Sequence, residues 1–419
     1  MIKVPCFLCD IINVMGNVCP YITNDGSVGL YSNDYNDIYH SVNGAYTEAC
    51  EKFIIPADLE YYFSNDCINV LDICYGIGYN TKSLLQKFFE IRKNKSSQKY
   101  YNETIHSDNI SDKNFPKLNI DAVDLDKNLF LLSPLIKTFK KFNLGGQNLP
   151  DDKYFKYLSK KVITKFRYDD YINFVILEFI VKTGMFDNEI CELLENTSKN
   201  AFNKYHDTVA LSYLRFLYDK GNLNTPYSVL SAFVHNIYYH HISIRYKTAL
   251  EATNNNDISM NIYIDDARNF IKSSEQTYDL IFLDGFTTNK CPCLWTYEFF
   301  KELYEHLSHD GKLITYSNAA HVRNSMLTAG FYVGKIYNSN ECRYTGSIAV
   351  KNKSFIKHEL TESDLRLVKS RAGILYRDEN LNASNEAILN RREAEVKNSP
   401  LLSSSQAAKI NKERRMADV

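Results

Sequence analysis

Ile68 to Lys93 reads INVLDICYGIGYNTKSLLQKFFEIRK: an apolar run broken by Asp72, a turn holding Gly76 and Gly78, then apolar residues at Leu84, Leu85, Phe88 and Phe89. The run has the length and composition of a buried strand. The three- and four-residue steps after it put four apolar side chains on one helix face. Strand, glycine turn and helix form the opening unit of an open α/β sheet, in which glycine lets the backbone turn sharply and approach a ligand at the helix N-terminus. Thr81 stands where a dinucleotide fingerprint wants Gly or Ala, so the loop alone is equally well a plain strand-to-helix turn.

Working outward, LNIDAVDLD, MNIYIDDA, DLIFLD, KLITYSN and GSIAVKN are further strand-like runs. Alternating with helical segments, they predict a mostly parallel sheet with helices on both faces. The core is expected over 61–134 and 256–350. Residues 1–60 read as an N-terminal extension with short strands and a turn at Asn24-Asp25-Gly26. From Asp124 to Ile262 is 262 − 124 = 138 residues, far beyond a crossover's needs, so 135–255 reads as a helical insertion. Residues 351–419 read as a C-terminal extension whose Ser/Lys/Arg-rich end, from about 397, is expected to be mobile.

Composition narrows the function. The 419 residues carry 49 Lys and Arg against 50 Asp and Glu, so a nucleic-acid partner needs a local basic patch rather than a basic protein. The insertion supplies candidates in KTFKKF (137–142), KYLSKKVITKFR (156–167) and the aromatic HNIYYHHISIRYK (235–247), which equally well are solvated faces. The longest apolar stretch, INFVILEFIVKTG, is cut by Glu178 and is too short for a membrane span. No export pattern opens the chain, and ten irregularly spaced cysteines fit free thiols in a reducing cytoplasm. Neither the CxxC at Cys6 and Cys9 nor the CxC at Cys291 and Cys293 has the second cluster a zinc site needs. His235, His240 and His241 lack an accompanying carboxylate, so no metal is expected.

The chemistry gathers at the C-terminal ends of the strands, where open α/β sheets bind ligands. Asp72 precedes the glycine turn, Asp124 suits the two hydroxyls of a ribose, and Asp266 beside Ala267 suits an adenine amino group. Any one of them alone is more often a helix cap. In succession after a GxG turn they form the pattern of an S-adenosylmethionine site, with Asp284 left over for a substrate.

Four stretches then resemble, in order and spacing, the tRNA 5-aminomethyl-2-thiouridine methyltransferase family: DGSVGLYSNDYNDIYHSVNGAYTEACEKFI, VLDICYGIGYNT, DDARNFIKSSEQTYDLIFLDGFTTNKCPCLWTYEFFKEL and GKLITYSNAAHVRNSMLTAGF. The signals YHSxxGAxxE (Tyr39 to Glu48) and DLIFLDGF…LW are more distinctive than the glycine turn. AGILYRDENLNASNEAILNRREAE is similar to an extension of some free-standing members. The resemblance implies a Rossmann-like class I methyltransferase without the flavin oxidase half that other members carry. It also implies a functional link to a separate flavin-dependent tRNA-modifying oxidase. Glu48, Asp72, Gly76, Gly78, Asn80, Asp124 and Asp266 are then expected at S-adenosylmethionine, Tyr39, His40, Phe286 and Trp295 at the substrate in the tRNA anticodon loop, and Asp284 as the catalytic residue. Cys74, Tyr75 and Tyr79 depart from the family's Gly, Phe and Leu.

The implied reaction turns a 5-aminomethyl group on a wobble uridine into 5-methylaminomethyl. The amine is mostly protonated at neutral pH, and an ordinary aspartate near pKa 4 attracts and orients the ammonium rather than deprotonating it outright. Two alternatives stand beside this: methylation of another amine or nucleic acid, and a non-catalytic S-adenosylmethionine-binding protein of the same fold.

Overall fold

The structure, a computed structural model, describes residues 18–25, 27–32, 36–40, 43–103, 115–133, 169–185 and 257–417. The opening stretch forms strand β4 (Cys67–Ile73) and helix α3 (Tyr79–Glu103), joined by the expected glycine turn. Around β4 lie β5 (Lys117–Asp124), β6 (Ile258–Ile264), β7 (Tyr278–Leu283), β8 (Leu307–Thr315), β9 (Tyr332–Asn338) and β10 (Arg343–Val350). They form a seven-stranded sheet in the order β6-β5-β4-β7-β8-β10-β9, with β10 antiparallel to both neighbours. The chain moves from β4 to β5 and β6 on one side, then returns to β7 on the other. This switch of direction beside β4 opens a crevice beyond its C-terminal end.

Alternating side chains feed two cores. In β4, Ile68 and Val70 join one face while Leu71 and Ile73 join the other. On the first face pack α3 and α5 (Asp169–Lys182), whose Ile172, Val175, Ile176, Phe179 and Ile180 are buried. The second face is covered by α6 (Ala267–Ser273), α7 (Tyr297–His306) and α8 (Ala320–Ala329). The stretch cut by Glu178 is therefore a core helix, and no helix among the described residues is long and apolar enough to cross a membrane. Of the insertion only 169–185 is described. The three lysine- and histidine-bearing segments, and Cys6 and Cys9, lie outside the described residues.

The N-terminal extension contains a small antiparallel sheet, β1 (Val18–Ile22), β2 (Val28–Ser32) and β3 (Asp37–Ile38), followed by α1 (Ala45–Ala49). Its turn is more than a reversal. Asp25 accepts from Thr23, from the Ser27 amide and hydroxyl, and at 2.9 Å from the Thr47 amide, so the hairpin caps α1. Gly44, at φ 148°, must be glycine: a Cβ would overlap the Asp25 carboxylate.

The C-terminal end, expected to be mobile, carries regular structure as far as Ala417. Past α9 (Glu362–Val368) and α10 (Asn385–Asn398), the chain forms α11 (Ser404–Ala417). The Ser403 hydroxyl accepts from the Gln406 amide, the Gln406 side chain accepts from the Ser403 amide, and Ala407 is buried. A Ser-x-x-Gln capping box inside a Ser-rich run is easily read as solvated linker; here it starts a docked helix.

Candidate active site

A cavity of about 720 Å³ opens beyond the ends of β4, β5, β6 and β7. Of the residues expected from sequence, Tyr39, His40, Glu48, Gly76, Asp124, Asp266, Asp284 and Phe286 line it; Asp72, Gly78, Asn80 and Trp295 do not. Asp37, Asp126 and Asp265 also line it, bringing the wall to seven carboxylates with no Lys or Arg among the described residues. Such a wall suits a cation and repels phosphate.

The turn itself is built on left-handed backbone at Cys74 (φ 63°), Gly76 (φ 58°) and Gly78 (φ 79°). Cys74 adopts the conformation of the glycine it replaces, at a cost of about 1–2 kcal/mol, and leaves the two glycines in register. Gly78 cannot carry a side chain because a Cβ would overlap the Tyr75 hydroxyl. The Gly76 amide donates to Asp124 at 2.8 Å and the Asp126 amide at 3.0 Å, which fixes the Asp124 carboxylate against the loop. Burial nevertheless raises Asp124 to about 6.

Asp72 lies wholly beneath the turn and accepts from the Thr81 hydroxyl at 2.6 Å. Burial raises it to about 7 against that bond. Asp72 thus braces the turn from below, and Thr81, the departure from a dinucleotide fingerprint, is its partner. Asp266 caps α6 by accepting from the Arg268 amide at 2.9 Å and also holds the Arg268 guanidinium. Burial opposes ionisation there, but these bonds keep the carboxyl below its ordinary range.

Asp284 follows β7 directly, its amide continuing the ladder to the Ile73 carbonyl at 3.2 Å. The Asn80 side chain donates to its carboxylate at 2.9 Å, so Asn80 serves Asp284 rather than the cavity surface. Burial first, then the Glu48 charge, push Asp284 to about 7, partly offset by Asn80 and Lys52. The ordinary aspartate expected from sequence is thereby corrected: in its enclosed setting Asp284 titrates near neutrality and is a much stronger base.

Glu48, also on the cavity wall, projects from α1 in an ion pair with Lys52, which lies 5.7 Å from the Tyr316 ring centroid. The Tyr39 and Phe286 rings meet at 4.9 Å and 58° on the wall near Asp284. His40 is buried edge-on to Tyr79 and is held neutral, its pKa pushed down to about 4 by burial. Trp295, expected at the substrate, is fully buried, donates its indole N–H to the Phe286 carbonyl at 3.0 Å, and is not among the residues lining the cavity. Its size and apolarity draw it into the core beneath the residue it was expected to accompany.

Tyr316, just after β8 and a further candidate by its place at a strand end, lines the cavity and donates to the Gly285 carbonyl at 2.9 Å. Two participants escaped sequence reasoning. Lys52 gave no signal. Asp378, in the C-terminal extension, binds Arg268 at 2.7 Å and so steadies Asp266 from outside the sheet.

The fold is the Rossmann-like class I methyltransferase fold, with a switch-point crevice, a glycine turn, and carboxylates at successive strand ends in an acidic cavity of nucleoside size. S-adenosylmethionine fits these residues. Asp124 and Asp126, with their carboxylates, and Ala267 and Leu294, with apolar surface, line the same cavity. Residues 230–343 match the model of a family described as S-adenosyl-L-methionine-dependent methyltransferase.

Over 175 residues, 41% of this chain and 47% of the other, the sequence is 31% identical to an uncharacterised protein of Methanocaldococcus jannaschii. Over 79 residues, 19% of this chain and 12% of the other, it is 33% identical to the tRNA 5-methylaminomethyl-2-thiouridine biosynthesis bifunctional protein MnmC of Delftia acidovorans. The matches thus span less than half the length of these curated relatives. The crystal structure of MnmC2 from Aquifex aeolicus shares the fold, with a TM-score of 0.54 and 20% identity over 94% of this chain and 91% of that one.

Proposed function

We propose that the protein N-methylates the 5-aminomethyl group of a wobble (thio)uridine in tRNA, giving 5-methylaminomethyl. The observation that carries this is Asp284: a carboxylate raised toward neutrality at the end of β7, held by Asn80, on the wall of an acidic cavity. The names of the bacterial relatives supply the substrate. S-adenosylmethionine supplies an electrophilic methyl group when bound.

The chain's own part is to hold an amine and receive its proton. An aminomethyl group with a lysine-like pKa of about 10.4, as an upper bound, passes its proton to an ordinary carboxylate at a cost of about 9 kcal/mol. Against an acceptor raised to about 7 the cost is about 5 kcal/mol. Asp284 and Glu48 first attract the ammonium, Asp284 then takes the proton, and cavity water carries it away. Tyr39 and Phe286, whose rings meet at 4.9 Å on the cavity wall, flank the base that carries the amine in this reading. The seven carboxylates of the described wall repel phosphate, so tRNA phosphates are held outside the cavity in this reading. A separate flavin-dependent enzyme that exposes the aminomethyl group is the matching partner.

The test is incorporation of labelled methyl from S-adenosylmethionine into tRNA from cells unable to complete the modification. Label is expected there and absent from fully modified tRNA. Equal labelling of both, or of neither, rejects the proposal.

A further inference from the structure

Cys291 and Cys293 sit on the loop between β7 and α7 with their sulfurs 3.5 Å apart, one thiol hydrogen-bonded to the other. Both line the cavity beside Asp266 and Leu294, and Cys293 is otherwise buried. Methyl transfer uses neither. Among the described residues no group of His, Cys, Asp and Glu is arranged to hold a metal, so the pair is not a ligand set. The Cys291 hydrogen bond, opposed by burial and aided by the Arg268 guanidinium, holds the Cys293 thiol below its ordinary pKa. Two neighbouring thiols of unequal acidity, facing a cavity that a small molecule can enter, make a nucleophile and a resolving partner.

We propose that Cys291 and Cys293 form a redox-active dithiol, open to small-molecule disulfides through the empty cavity and shielded when S-adenosylmethionine fills it. The Cys293 thiolate attacks one sulfur of the small disulfide. That bond breaks, one thiol leaves, and a mixed disulfide remains on Cys293. Cys291 loses its proton to solvent and attacks the Cys293 sulfur, closing the intrachain bond and expelling the second thiol. The cysteines give up two electrons and two protons, which the small disulfide takes up. Closure brings the sulfurs from 3.5 Å to about 2.05 Å, which draws in the loop wall at Leu294 and weakens cofactor binding. A thiol-rich cell keeps the pair open.

The full chain is incubated with oxidised glutathione, with and without S-adenosylmethionine, then quenched and mapped by peptide mass spectrometry. Without cofactor, the peptide holding both cysteines should lose two hydrogens. At about 100 times its Kd the cofactor leaves roughly one cavity in a hundred empty, so formation should slow about a hundredfold. Cys291→Ser should stop at a glutathione adduct on Cys293. Calorimetry should show at least about a tenfold weaker Kd for the oxidised protein, restored by dithiothreitol. Free thiols in the cofactor-free protein, equal rates with and without cofactor, or no adduct in Cys291→Ser would each overturn the proposal. So would an unchanged Kd after closure.

Discussion

Replacing Asp284 by Asn separates holding an amine from holding the fold, because the side chain keeps its shape and can still accept from Asn80 while its charge is removed. Burial and Glu48 raise Asp284 from 3.8 to about 7. Three units correspond to about 4 kcal/mol against the ionised form, an upper value because the carboxylate still meets cavity water. The folded pKa lies above the unfolded one. The stability contribution is therefore fully present below about pH 4 and is lost as pH rises through about 7. Asp284→Asn escapes that loss: it should melt close to the wild type near pH 4 and above it at pH 8, by several degrees. Turnover should move the other way, falling about 10²- to 10⁴-fold at pH 7. The wild-type rate should rise as Asp284 ionises and level off above about pH 7. The Asn variant should keep rising toward the amine's own pKa, so the gap narrows. Initial rates with labelled cofactor and thermal melts across pH 4–9 read both effects. Near-normal turnover at pH 7, or an equal melting-temperature loss at every pH, would make Asp284 a cap and refute the reasoning.

Asp124→Ala removes the carboxylate that Gly76 and Asp126 fix beside the turn, and calorimetry should show about ten- to a hundredfold weaker binding of S-adenosylmethionine. Gly78→Ala imposes a left-handed alanine and an overlap with Tyr75, so chemical denaturation should show a loss of at least about 2 kcal/mol. Asp378→Ala frees Arg268 to pull Asp266 out of place, and cofactor affinity should fall severalfold although Asp378 lies outside the cavity wall. The triple change Lys160→Ala, Lys161→Ala and Lys165→Ala should weaken tRNA binding and flatten its log–log salt slope by about three, one per lost phosphate contact. An unchanged slope assigns that segment to a solvated face.

The sheet was legible because burial on both faces writes near-continuous apolar runs, and β4, β5, β7 and β8 stand where those runs fall. Strand β9 was missed because Gly334 and Lys335 interrupt its pattern; Gly334 packs against Ile356, and the buried Lys335 pairs with Asp364. The site carboxylates were legible by position, since acids at successive strand ends point at one crevice. Their ionisation was not, because Asp284 owes its pKa to enclosure and to Glu48, 236 residues earlier in the chain. Asn80 and Asp72 were recognised as site residues but act at one remove, on Asp284 and on Thr81. Spacing locates a side chain on a turn; only packing decides which way it faces.

The most direct measurement places the methyl group on an atom. Anticodon stem-loops bearing 5-aminomethyl-2-thiouridine at the wobble position are incubated with the protein and S-adenosylmethionine carrying a trideuterated methyl group, then digested to nucleosides and fragmented in a mass spectrometer. The deuterated methyl is expected on the aminomethyl nitrogen of that one nucleoside. A methyl on the base, on the ribose or on another nucleoside, or an unlabelled stem-loop while a free amine accepts the methyl, would contradict it.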